Sequence, residues 1–459
     1  MKPEIIKNHA QLSAVAEEFA YFAQENKQFL EPISLTNADI PKMLQHYEYP
    51  LNSWPCFINE ETKQILDECV TEVPKLIYKA LKLEFNQQPK RLAEFFNIPE
   101  ILASLFLDGK IDMVESAQRI DAIWTESGLK VMEVNVGSTI GGWQIQWVEQ
   151  LYRNQEGLSS FFNKYECFSR NIPHLYFDFL VKKVQSLANF SGEVDILLVT
   201  DRVFYENELE DTLKVFFDSA LEKYGLRGNL YVENSYQDVT FQLNSVYFKG
   251  KKLGAITSTH YLDENIKVPQ ELYRAYLANQ VFWPDNPYCM IIGDKRSLSI
   301  LYQYIEHSNF TPDEQRCIEK YLPWTTVISD KQVEYKGRQY NLIELLVNNK
   351  DEFVIKIGQG LKGDDVYVGK FQTNQAWQKI VQNAIADNSS WLVQSFCESL
   401  KYYGYGDKAF SLYDVVWGIF GYGRDYGGCW LRLMGEECED GVINSARGAQ
   451  ETIVFEVES

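Results

Sequence analysis

Gln118-Arg119-Ile120-Asp121-Ala122-Ile123-Trp124 and Lys130-Val131-Met132-Glu133-Val134-Asn135-Val136-Gly137-Ser138-Thr139 are two alternating segments flanking Glu126-Ser127-Gly128, a turn composition. Together they read as a β-hairpin. With the turn centred on Ser127, Asp121 lies opposite Glu133 and Arg119 opposite Asn135. Side chains alternate faces along a strand, so these four polar residues share one face. Ile120, Ala122, Trp124, Met132 and Val134 form the other, a core face. The split is imperfect, because Ile123 and Val131 fall on the polar side. Two carboxylates directly opposite each other repel. A divalent cation removes that conflict, and Asp121, Glu133 and the Asn135 amide are hard oxygen ligands of the kind Mg²⁺ accepts. The plainer reading is an exposed polar face on which Arg119 neutralises one acid. The charge clash and the apolar second face favour the metal.

The totals limit the other possibilities. A chain of 459 residues has room for two or three domains with large cores. Hydrophobic residues make up 45% and aromatics 14%, a globular composition. The net charge of −20 argues against a general nucleic-acid binder. It also means that an anionic ligand needs Lys, Arg and metal concentrated locally around it. The eight cysteines form no C-x-x-C pair, which leaves zinc little support. The five histidines (His9, His46, His174, His260 and His307) show no metal-ligand spacing, and none adjoins a serine or cysteine in a nucleophile motif. Triad and zinc hydrolysis are therefore not expected. The first residues carry Glu4, Lys7 and Asn8 with no apolar block, and no apolar run approaches membrane-spanning length. The expectation is a reduced, cytoplasmic protein without membrane or nucleic-acid partners.

Leu12 to about Gly109 reads mainly as helices, with Leu66, Val70, Val73, Leu76 and Ile77 at helical spacing. After the hairpin, Gly141-Gly142-Trp143-Gln144 leads into a helix through Trp147, Leu151 and Tyr152. Asp195-Ile196-Leu197-Leu198-Val199 reads as a buried parallel strand, with Asn207 capping a helix over Glu208 to Tyr224. Asn229 to Val232 is another strand, and Val246 to Ile256 a hairpin. This alternation predicts an α/β unit. A third unit starts near Cys289, with Lys295 following a predicted strand and opening a helix.

Phe353-Val354-Ile355-Lys356-Ile357-Gly358-Gln359-Gly360-Leu361-Lys362-Gly363-Asp364-Asp365-Val366 reads as strand, glycine-rich turn, strand. Its glycines let backbone amides approach a phosphate, and Lys356 and Lys362 add charge. It is not a Walker A loop, because Asp364 stands where the lysine belongs. Most such turns only satisfy turn geometry. Lys295 and Arg447 alone carry no more weight than any surface cation.

Taken in order, these pieces resemble the circularly permuted ATP-grasp ligases, in particular the synthetase part of glutathionylspermidine synthase. The resemblance rests on Arg119-Ile120-Asp121, then Glu133-Val134-Asn135, then Asn286-Pro287, Lys295, Lys356 before a glycine-rich flap, and Leu392-Val393-Gln394-Ser395. It runs from Arg119 to the C-terminus. Three places depart from the family: Ile357 where proline is frequent, an interrupted flap, and Val136-Gly137-Ser138-Thr139 after the E-x-N element.

The resemblance implies a mixed α+β and α/β chain. Its permuted ATP-grasp fold would have a central α/β (pre-ATP-grasp) domain and a helical N-terminal region. The expected units are residues 1–115, mainly helical; 116–155, the metal hairpin and following helix; 190–290, the α/β domain; and 291–459, the nucleotide-binding lobes and C-terminal strands. The implied activity is ATP-dependent ligation of a small-molecule or peptide carboxylate to an amine. ATP would be bound by Lys295, Lys356, Lys362, Gln394 and Ser395, and Mg²⁺ by Asp121, Glu133 and Asn135. Arg119, and more weakly Arg447, would be catalytic. The segment Tyr402 to Gly428, rich in Gly and Tyr, is expected to close over the site. A nucleotide-binding scaffold and a phosphotransferase are the alternatives. The substrates and the oligomeric state are left open.

Overall fold

The computed structural model describes residues 1–27, 30–35, 40–45, 47–108, 116–201, 208–242, 245–259, 267–286, 288–360, 365–387, 390–406, 409–436 and 438–458. Asn207, Pro287, Lys362 and Asp364 lie outside these residues, as do His46 and His260.

An eight-stranded sheet organises the chain. Its main path runs Cys56–Ile58, Gln450–Val457, Asp425–Gly435, Ala409–Tyr422, Ala117–Thr125 and Gly128–Val136. Tyr402–Gly406 and Cys167–Phe168 pair with it off this path. The long helix Glu60–Phe85 covers one face. Asn59 starts that helix by accepting the Thr62 amide at 2.9 Å. Leu66, Val70, Val73, Leu76 and Ile77 are all buried in it, as their spacing predicts. The helix also explains a glycine in the sheet. A Cβ on Gly421 would stand 2.8 Å from Val70 Cγ2 and 3.0 Å from the Gln118 amide nitrogen. Gln118 Nε2 in turn donates to Val70 O at 2.7 Å, which ties helix to sheet.

The segment expected to close over the site is thus part of the sheet itself. Its glycines there make room for packing rather than a mobile turn. The N-terminal region also adds an edge strand, Cys56–Ile58, running parallel to Gln450–Val457.

The predicted α/β layer is present. Glu193–Val199 lies between Arg227–Glu233 and Ala255–Ser258, all parallel. Helices Ile172–Gln185 and Glu208–Tyr224 pack against it. The hairpin read over Val246 to Ile256 ends earlier than expected. Ser245–Phe248 pairs with Lys251–Leu253, and the chain then leaves to form the third parallel strand. Gly254 permits that crossing, because a Cβ there would lie 2.2 Å from Val184 Cγ1.

A smaller four-stranded sheet runs Thr325–Val327, Trp391–Ser395, Phe353–Ile357 and Val366–Val368. Phe353, Ile355 and Val393 bury one face against Trp377, Val381, Leu342 and Leu346 of two helices. The other face carries Val354, Lys356, Leu392 and Gln394. Among the described residues no helix is long and apolar enough to cross a membrane.

Candidate functional site

The hairpin register puts Arg119 opposite Asn135 and Asp121 opposite Glu133, as the alternation predicts. The turn differs. Thr125 pairs with Gly128, so only Glu126 and Ser127 connect the strands. Gly128 takes φ +101°, which a side chain would resist. A one-residue irregularity between Asp121 and Ala122 restores the register expected from a turn centred on Ser127. Met132 is the extra residue. Beyond it Val131 faces Ala122 and is fully buried, so the bulge accounts for Val131, one of the two apolar residues on the wrong side, and leaves Ile123 on the face of Asp121. The carbonyl of Met132 accepts from Lys356 Nζ at 3.2 Å, and that of Val131 from Gln394 Nε2 at 3.3 Å. The bulge thus docks the small sheet onto the hairpin.

A row of alternating charges lies on the face away from helix Glu60–Phe85. Asp121 is buried and held by Arg119, with Nε at 2.8 Å from Oδ1 and Nη2 at 3.1 Å from Oδ2. Arg432 Nη2 approaches the same Oδ2 at 2.7 Å from strand Asp425–Gly435. Asn135 Nδ2 lies 3.4 Å from both Asp121 Oδ2 and Glu133 Oε1. Glu133 Oε2 pairs with Lys295 Nζ at 3.2 Å. Lys356 Nζ donates to Gln394 Oε1 at 2.8 Å, and Gln394 Nε2 reaches Thr325 Oγ1 at 3.2 Å. Gly418 leaves room for the arginine, since a Cβ there would be 3.2 Å from Arg119 Cδ.

The repulsion expected between Asp121 and Glu133 is therefore relieved by cations on both acids. Burial would push the Asp121 carboxyl up, but the Arg119 and Arg432 guanidiniums outweigh it and hold it well below the usual range. Lys356 is shifted the opposite way. Burial lowers its ammonium to about 8; Glu133 opposes the shift and Lys295 adds to it. Four cations (Arg119, Arg432, Lys295, Lys356) thus stand against three carboxylates, Asp121, Glu133 and the buried Glu451 opposite Arg432, in a chain of net charge −20. That is the local excess an anionic ligand requires.

The predicted residues divide by place. Arg119, Asp121, Glu133, Asn135, Lys295, Lys356 and Gln394 form one contiguous cluster. Ser395 pairs with Phe353 and so faces the opposite side of the small sheet from Lys356. Arg447 sits on the turn Ser445–Arg447 and pairs with Asp440. Lys362 falls outside the described residues. Arg432 and Thr325 belong to the cluster and were missed by sequence reasoning. The signal for Arg432 was a lone cation within Cys429-Trp430-Leu431-Arg432-Leu433. Lys295 follows the short helix Cys289–Ile292 and not a strand. Asn286 bends the chain there by accepting the Tyr288 amide at 3.1 Å, and a four-residue apolar run cannot by itself distinguish helix from strand.

The donor set bears unequally on a metal. Among the described residues no three His, Cys, Asp or Glu side chains converge on one point. Both Asp121 oxygens already face guanidinium nitrogens. Glu133 and Asn135 are half-buried; Glu133 Oε1 faces the Asn135 amide at 3.4 Å and Oε2 faces Lys295 at 3.2 Å, so of the two acids only Glu133 is held by a lysine rather than by guanidiniums.

No family model matches the chain, and no curated protein matches it. Among solved structures, it is similar to the apo form of a glutathione synthetase-like effector from Globodera pallida. The TM-score is 0.56 at 11% identity, over 95% of this chain and 97% of that one. At that identity the likeness is one of fold: the chain has a glutathione synthetase-like fold.

Proposed function

We propose that the protein is an ATP- and Mg²⁺-dependent carboxylate–amine ligase of permuted ATP-grasp architecture. The observation that carries this reading is the convergence of Arg119, Arg432, Lys295 and Lys356 on one face beside Glu133 and Asn135. The fold likeness to a glutathione synthetase-like protein supports it. So does chain order, with the hairpin preceding the small sheet that carries Lys356 and Gln394.

In this reading the ATP phosphates lie against Lys295 and Lys356, between the large sheet and the small one. Glu133 and the Asn135 amide oxygen would hold Mg²⁺, which would offset the charge of the phosphates. Asp121 orders Asn135 and holds both guanidiniums. A carboxylate oxygen of the first substrate attacks the γ-phosphorus and ADP leaves. The amine nitrogen then attacks the carbonyl carbon of the acyl phosphate, inorganic phosphate leaves, and the nitrogen loses a proton. Arg119 and Arg432 stabilise the negative charge that develops in both steps.

Release of ADP tests the reading. A panel of amino acids, peptides and polyamines is supplied with ATP and Mg²⁺, and products are weighed by mass spectrometry. A ligase needs both substrates for ADP release and yields an amide. A phosphorylated product without amide, or nucleotide binding with no turnover on any pair, would replace this reading with one of the two alternatives.

A further inference from the structure

We infer that Arg296 is a positioning residue through which the N-terminal helix Pro89–Phe96 sets the place of Lys295. The inference rests on the nucleotide reading of Lys295 and adds a part of the chain outside the family resemblance.

Arg296 and Asp294 flank Lys295 and form a closed fork. Arg296 Nε lies 2.9 Å from Asp294 Oδ1 and Nη2 2.7 Å from Oδ2, with the Arg296 amide also 2.9 Å from Oδ1. Both side chains are buried. A buried pair of this kind contributes little net stability but fixes geometry strongly. Here it fixes the residue between its partners.

Two further surfaces clamp the same fork. From the N-terminal side, Nη1 donates to Phe95 O at 2.7 Å, and the guanidinium lies 4.9 Å from the Phe95 ring and 5.5 Å from the Phe96 ring. From the other side comes the turn after the strand bearing Lys356. A Cβ on Gly358 would stand 2.5 Å from Arg296 Nε and 2.7 Å from Asp294 Oδ1, so only glycine lets that turn lie against the fork. The turn and Lys295 then bond directly, Lys295 N to Gly358 O at 3.0 Å and Lys295 Nζ to Gly360 O at 3.0 Å. Gln359 Nε2 reaches back to Phe96 O at 3.4 Å. The helix therefore touches both the fork and the turn, and Arg296 is the side chain common to all three elements. A lysine in its place keeps one charge but cannot hold Asp294 with two parallel bonds while also reaching Phe95 O.

The test uses the full chain with two readouts. The first is affinity for Mg·ATP by calorimetry, in wild type, Arg296→Lys and Phe96→Leu. The inference expects Arg296→Lys to weaken binding about tenfold or more, with the melting temperature lowered by only a few degrees. Phe96→Leu, on the helix and not among the residues placed at the nucleotide, should weaken it in the same direction. The second readout needs no ligand: amide hydrogen exchange at Lys295. Both variants should speed it, because the bond to Gly358 O loosens. Wild-type affinity retained in folded Arg296→Lys overturns the inference, as does unchanged exchange at Lys295 in both variants. Failure of wild type to bind Mg·ATP with faster Lys295 exchange in the variants overturns the nucleotide reading and upholds the positioning of Lys295.

Discussion

Raising the pH from 7 to 9 should weaken nucleotide binding about tenfold, and Lys356 should be the cause. Burial lowers its ammonium from 10.5 to about 8. A phosphate selects the charged form. With that value, about nine-tenths of molecules carry the charge at pH 7 and about one-tenth at pH 9. The apparent Kd rises as the inverse of the competent fraction, so by about tenfold, or about 1.4 kcal/mol. Two of its neighbours, Cys397 and Asp121, do not share this titration. Cys397 is pushed up by burial to about 11, and Asp121 is held ionised by its arginines. The same lysine leaves a mark without ligand. Its folded pKa lies below its unfolded one, so between about pH 8 and 10.5 the unfolded chain binds more protons, and stability rises with pH. Below pH 8 the penalty is fully present. A shift from 10.5 to about 8 makes it on the order of 3 kcal/mol. Lys356→Met should bind nucleotide weakly with no pH dependence over this range, and its stability relative to wild type should fall as pH rises. Fluorescent-nucleotide displacement at pH 7, 8 and 9 and urea unfolding at pH 7.5 and 10 measure both. A wild-type affinity that is flat from pH 7 to 9, or that falls equally in Lys356→Met, would refute the reasoning.

Glu133→Gln removes the proposed Mg²⁺ ligand and the partner of Lys295 at 3.2 Å, so ATP turnover should fall by about a hundredfold or more while the fold persists; near wild-type turnover in the folded variant sinks the metal assignment. Arg119→Lys loses the two-pronged grip on Asp121 and should lower kcat strongly with little change in ATP affinity. Full rescue by high Mg²⁺ would show that Arg119 serves only to neutralise the acid. Gly421→Ala forces a methyl to 2.8 Å from Val70 Cγ2 and should cost about 1–3 kcal/mol in urea unfolding; an unchanged midpoint would mean the helix shifts freely on the sheet.

How far the sequence could be read depended on the range of the physics involved. Alternation along a strand is local, so the two polar pairs of the hairpin were visible at once, even though the turn was misplaced by half a residue. The bulge at Met132 compensated that error, and no pattern announced it, because the bulge exists to meet Lys356 and Gln394 more than two hundred residues away. Lys295 and Lys356 stood out only through their order within a resemblance, since a lone lysine carries no positional information. Arg432 belonged to no motif, although a cation inside an apolar strand needs a buried acid to face. Tyr402 to Gly428 failed for a different reason. Glycine marks both turns and close packing, and at Gly418 and Gly421 it was packing: one makes room for Arg119, the other for Val70. The composition of that segment was read as mobility when it recorded how closely the sheet is approached from both faces. The same ambiguity resolves at Gly358. Read in the sequence as a phosphate-cradling glycine, it lies against the Asp294–Arg296 fork, so its first demand is steric. Any contact it makes with phosphate must come through its backbone after that demand is met.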